Sequence, residues 1–338
     1  LYQAALAGRD IYYDQRYEHS LEMRAVLEEI LIHGRAVEDR TLAAIHAYTK
    51  LFWLNTGPHN NLTARKFVPR CTPEAFGDAV RAVGAAGARL PGRPGESVED
   101  LLTRLLPLFF DPNVDPFCTN KAPGNDRDML EASANNLYRG VTLSDLAGFQ
   151  ERYGLNSRLV KRNGALVEEV YRVGERYGAE IASIIRHLED AVPFATEPMA
   201  AALRALIRSY CTGEVVDREA YDIAWVQDRD SPVETVNGFV EVYMDVRGVK
   251  GAWEALVCCV NRRKTDAIRM LASEAQWFED HMPWDPRWRR ARMPRVRLPP
   301  RPLPRRPPRP WTSSSSASNR ARFPPIGVAH PAPWPPTT

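Results

Sequence analysis

The tightest constraint on this chain is the place where its acidic residues stop. Asp285 is the last of 42 aspartates and glutamates, and beyond it come twelve arginines and no lysine. The stretch ahead of that point holds 33 of the 45 basic residues against every acidic one. Its net charge is about −9, although the whole chain sums to +3. The last 45 residues also carry 14 of the 28 prolines and the serine run Ser313–Ser316. Such a segment cannot bury enough apolar surface to offset its ordering entropy. The expected organisation is a folded body over 1–292 and a disordered Arg/Pro-rich tail over 293–338.

The body has an ordinary globular balance. With 338 residues, 44% hydrophobic and 26% charged overall, the chain is long enough for a sizeable core. Most of it reads as helices joined by short loops. Leu21, Val26, Leu27, Ile30 and Leu31 repeat at helical spacing over Ser20–His33, with Gly34 placed to cap the end. Tyr177, Ile181, Ile184, Ile185 and Leu188 predict a second helix stopped by Pro193. Met199, Leu203, Leu206, Ile207 and Tyr210 predict a third that ends near Gly213. Leu256–Phe278 reads as one further long helix, and Gly84–Ser97 as a surface loop. No repeat of fixed period is present.

One stretch breaks the helical rhythm. Over Val236–Val246, the apolar Val236, Val240, Val242 and Met244 alternate with Asn237, Glu241, Tyr243 and Asp245. Period two with β-branched residues predicts a half-buried strand near 236–246, its polar side facing out as the floor of a cleft. The five cysteines, Cys71, Cys118, Cys211, Cys258 and Cys259, have no paired spacing. Cys258 and Cys259 follow Leu256 and Val257 in an apolar run, so buried thiols in a reducing, cytoplasmic setting are expected. No apolar run approaches a membrane span. No stretch reads as a signal peptide, and with Leu1 as first residue that says nothing of what precedes it.

Six phrases then resemble the bacterial dipeptidyl peptidase III family, in the family's order. They are GRDIYYDQ (Gly8–Gln15), ANNLYRGVT (Ala134–Thr142), YGLNSRLVKRNG (Tyr153–Gly164), YDIAWVQDRDS (Tyr221–Ser231), VNGFVEVYMD (Val236–Asp245) and AQWFEDHMPWDP (Ala275–Pro286). The resemblance implies a zinc exopeptidase that removes dipeptides from the N-termini of short peptides. It also implies an α+β fold, mostly helical with a small β-core, in which 1–292 supplies much of a mixed lobe. By position in that family, Glu241 would bind the substrate's α-ammonium and Tyr243 would hydrogen-bond the scissile carbonyl. Glu254 would add a second acidic group. A carboxylate is suited to hold a charged amine, and a phenol to stabilise developing negative charge. Without the resemblance, Glu241 and Tyr243 are simply a solvated strand face.

The family's zinc sits on HExxGH and EExRAD helices. None of the seven histidines, His19, His33, His46, His59, His187, His281 and His330, stands in such a motif. No metal ligands are therefore expected, and the chain reads as a truncated member, incomplete as a catalyst, that departs from the family after Trp288. An alternative is a non-catalytic peptide-binding protein whose basic tail binds anionic partners. The tail's RPLPRRP (Arg301–Pro307) fits an SH3-ligand pattern, as Arg/Pro-rich stretches commonly do. Its arginines would hold nucleic acid only nonspecifically.

Overall fold

The computed structural model describes residues 1–292 apart from 125 and 230. The expected disordered tail over 293–338, with its SH3-ligand pattern, lies outside the described residues. Six helices come first: α1 (Tyr2–Ala7), α2 (Arg9–Arg16), α3 (Ser20–Ile32), α4 (Asp39–Asn55), α5 (Pro73–Ala85) and α6 (Val98–Phe110). Their ends are chemically marked. Thr72 accepts from Ala75 N ahead of Pro73, and Ser97 with Asp100 closes a reciprocal capping box at α6. The apolar stripes of α2–α6 meet in one core. Tyr13, Tyr48, Phe52, Phe76 and Phe109 are buried there, and Phe76 and Phe109 lie 4.8 Å apart between ring centres.

A small sheet follows, with β1 (Tyr138–Arg139) parallel to β2 (Ser157–Arg162) and β2 antiparallel to β3 (Ala165–Val170). The β2–β3 turn is Asn163–Gly164, both at positive φ, the pair that matches strand twist in a two-residue hairpin. Three helices come next: α7 (Gly178–Ala191), α8 (Glu197–Thr212, closed by Gly213) and α9 (Val215–Gln227). Helices α3, α7 and α8 stand where the apolar spacing predicts helices; α9 is not among those predicted. A two-stranded antiparallel ribbon, β4 (Val233–Glu241) with β5 (Ala252–Cys259), then leads into α10 (Arg262–Ser273) and α11 (Ala275–His281). The fold is α+β, mostly helical with small sheets, as the sequence implied.

Three expectations are corrected here. The long helix over Leu256–Phe278 is instead the end of β5 followed by α10 and α11. The run ALVCCV is too short for periodicity to separate a strand from a helix, and Asn261 starts α10 by accepting from Lys264 N. Cys258 and Cys259 are exposed, because β5 runs beyond the helices that bury Ala252 and Trp253. The predicted strand is shifted: β4 begins at Val233 and stops at Glu241, so Val242–Val246 belongs to the turn that follows.

A second core joins the two ends of the body. Ala4 and Ile11 from α1 and α2 pack with Ile181, Ile184 and Leu188 of α7, Leu203 and Leu206 of α8, Phe239 of β4 and Trp253 of β5. Gly8, between α1 and α2, is needed for this. A Cβ there would come within 2.0 Å of the Trp253 ring. Gln15, fully buried, donates through its side chain to Gly251 O (2.9 Å) and accepts from Trp253 N (2.7 Å). One amide side chain from α2 thereby satisfies two backbone groups at the start of β5.

Candidate functional site

The candidate site is the ribbon and the turn that closes it. Pairing runs from Val233↔Cys259 to Phe239↔Trp253 and then slips by one residue, so that Glu241 faces Ala252. This bulge decides which side the carboxylate takes. Without the extra residue, Val240 would oppose Ala252, and Glu241 would fall on the side of Phe239 and Trp253, which is buried. With it, Glu241 shares a side with Ala252 and, two residues along β5, with Glu254. The other side holds Thr235, Asn237 and Phe239, all buried. Tyr210 of α8 secures it, donating to Asn237 Oδ1 and accepting from Trp253 Nε1 (3.2 Å).

The expected polar face is therefore redistributed. Asn237 does not look out with Glu241; it is fully buried on the opposite side of the bulge. Asp245 is also fully buried and organises the turn. Its carboxylate accepts from the backbone N–H groups of Arg247 (3.0 Å), Val249 (2.8 Å) and Lys250 (2.8 Å), and from Tyr138 OH (2.9 Å). Lys250 has no exposed side chain and sits 2.5 Å from Glu151 and 2.8 Å from Ser157 Oγ. Burial works to raise the Glu151 carboxyl, yet the Lys250 and Arg247 cations hold it below the ordinary range. Thr119 Oγ1 and Asn135 Nδ2 both donate to Met244 O (2.7 and 3.1 Å).

Tyr243 lies in this pinned turn, not on the strand, and is 77% exposed. Glu241 and Tyr243 thus do not share a strand face as their spacing suggested; the strand has ended between them. Glu241 and Glu254 are brought together instead. The Glu254 carboxyl is pushed above its usual range, first by partial burial and then by the negative charge of Glu241, while the Arg218 cation of α9 opposes the rise. Two like charges on one side of a ribbon attract a compact cation such as an ammonium, which could donate hydrogen bonds to both.

The same set does not fit zinc. Among the described residues, no three or more His, Cys, Asp or Glu side chains gather where they could hold a metal ion. Two carboxylates without a histidine are not the donor set zinc takes at a catalytic site. His59 is the one deeply buried histidine among those described. Its Nε2 donates to the Asp115 carbonyl (2.8 Å), and burial lowers its pKa to about 4. Sequence reasoning did not single out Gln15, Arg218 or Lys250, and it set Asp245 on the outward polar face. Gln15 and Asp245 stand inside matched phrases, but nothing in those letters reveals what a buried amide or carboxylate will clamp.

The chain matches the model of Peptidase family M49 over residues 148–295, slightly beyond Trp288, where the departure was expected. It is 31% identical over 119 residues to Dipeptidyl peptidase 3 of Dictyostelium discoideum, covering 34% of this chain and 17% of that protein. It is 27% identical over 111 residues to Dipeptidyl peptidase 3 of Homo sapiens, covering 32% and 15%. In structure it superposes on dipeptidyl-peptidase III from Corallococcus sp. strain EGB with a TM-score of 0.51 at 18% identity. That match covers 86% of this chain and 43% of the other. The enzyme from Caldithrix abyssi gives 0.51 at 19% identity, covering 86% and 44%. The chain thus spans less than half of the solved structures it resembles. Over residues 148–295 it is similar to Peptidase family M49, and the relatives and solved structures it resembles are dipeptidyl peptidases III.

Proposed function

We propose that this chain supplies the amine-gripping floor of a dipeptidyl peptidase cleft, and that its natural ligand is the free N-terminus of a short peptide. What carries the reading is the bulge in β4, which sets Glu241 beside Glu254 on one side of the ribbon. Glu241 would be the primary carboxylate for the α-ammonium and Glu254 its second charge. Tyr243, exposed in the turn, would offer its hydroxyl to the carbonyl of the bound peptide. Zinc would serve the family's hydrolysis but has no ligand set among the described residues, so the chain by itself would bind peptides without cutting them. The five unpaired cysteines favour a reducing compartment such as the cytoplasm. No described helix is long and apolar enough to cross a membrane.

Titration calorimetry with arginyl-arginyl-alanyl-alanine, free and N-acetylated, tests this. The free peptide should bind at least about tenfold more tightly, the effect of one charge-assisted contact, and Glu241→Gln should abolish the difference. Equal affinity for the two peptides would refute the amine-binding role. Zinc-dependent release of dipeptide from arginyl-arginyl-naphthylamide by the pure chain would refute the non-cutting one.

A further inference from the structure

We infer that Arg218 of α9 is a positioning residue for this carboxylate pair: lodged against the Gly238 backbone, it keeps Glu254 ionised beside Glu241. The inference rests on the amine-binding reading above and adds to it a residue that no matched phrase contains.

The geometry comes from the strand. Gly238 is the register partner of Glu254, so the two stand directly across the ribbon from each other. Gly238 has φ +144°, a conformation that side-chain-bearing residues rarely adopt, and a Cβ built there would lie 2.5 Å from Arg218 Nη1. The guanidinium therefore occupies the space that a side chain at 238 would fill. Arg218 is held there from its own helix by Asp222 Oδ1 (2.9 Å to Nε) and by the Tyr221 ring, 5.2 Å from its central carbon. Its side chain is only 13% exposed. The cavity it lines with Tyr210, Gly238 and Phe239 measures about 10 Å³, room for no more than a single water. Arg218 is thus too enclosed to meet a peptide, and its action passes through the carboxylates.

The charges acting on Glu254 come from two packed elements. Glu241 of β4 disfavours its ionised form and Arg218 of α9 favours it. Asp222 tempers the cation from the helix side. A pair of carboxylates crowded on one ribbon tends to share a proton, as coupled acids do. A fixed cation behind one member lets both stay charged, which is what a single ammonium between them requires.

The test reads Glu254 directly and needs no ligand. The carboxyl ¹³C titration of Glu254 is followed by NMR in the full chain, in Arg218→Met and in Arg218→Gln, which retains a donor for Asp222. Arg218→Lys serves as the rescue. The Glu254 midpoint should rise in the Met and Gln variants and return towards the starting value in the Lys variant. Were the Met variant unfolded by circular dichroism, the Gln variant would carry the test. An unmoved midpoint in a folded variant overturns the inference, whatever the peptide experiments give. With the tetrapeptide, the acid limb of the binding profile should move up equally. The alkaline limb, set by the peptide's own amine, should stay. Loss of affinity at all pH values alike would mean a structural role only. Failure of both free and acetylated peptides to bind, with the NMR shift present, would sink the amine-binding reading and leave Arg218's effect on Glu254 standing.

Discussion

The helical region α2–α6 and the ribbon with α10 solve the burial problem in opposite ways. In the first, every helix presents an apolar stripe to the same aromatic core, and Phe52, Phe76 and Phe109 are at most 1% exposed. In the second, β5 is covered only where it begins, Leu256 and Val260 stand open, and α10 has no buried residue. Stability in the first is spread over many contacts. In the ribbon it is concentrated in a few polar clamps, Gln15 on Gly251 and Trp253, and Asp245 and Lys250 at the turn. The lesson is that a ribbon can hold a half-buried and an exposed carboxylate side by side when its far end is pinned by buried polar groups rather than by an apolar face.

The largest effect that would sharpen this contrast is a pair of truncations. Phe52→Ala should cost about 3–5 kcal/mol by removing a buried ring, whereas Ile268→Ala on exposed α10 should stay within about 0.5 kcal/mol. Urea denaturation checks both, and a comparable loss at Ile268 would mean that α10 is packed after all. Acid should separate the regions in the same way. The folded state keeps His59 neutral, with a pKa of about 4, while the unfolded chain protonates it near its ordinary value of 6.5. Its contribution is present above 6.5 and lost as pH falls towards 4, by roughly 3 kcal/mol. His59→Gln should flatten that part of the stability profile.

Glu254 has the reverse sign. Its folded pKa is raised, so its contribution is present below the unfolded value of 4.5 and is lost as pH rises through the folded one. Glu254→Gln should therefore leave stability at pH 7 unchanged or slightly higher, by a few tenths of a kcal/mol at this open position. A marked loss would show that the carboxylate is structural rather than poised for a ligand.

How much of this was legible in the letters depends on how local the cause is. Helices α3, α7 and α8 declare themselves through apolar spacing and through Pro193 and Gly213, because helix formation and its stops are decided within a few residues. The family phrases pointed to Glu241 and Tyr243, and position in the family to Glu254. They did not show that Tyr243 falls beyond the strand, or that Asn237 and Asp245 turn inward. Strand β5 was misread because ALVCCV carries no period of its own; its in-and-out order is imposed by Trp253 packing on Gly8.

The sequence by itself determined the division into an acidic body and an arginine-rich end, the helical character of that body, its resemblance to the dipeptidyl peptidase III family, and the absence of an HExxGH motif. Those follow from composition and short-range pattern, which the chain carries in any conformation. Only the tertiary structure decided which side of the ribbon each carboxylate takes and which cation stands behind it. A one-residue bulge reverses every side chain that follows it, and Arg218 reaches Gly238 from another element. Neither effect has any energy until the distant segments meet.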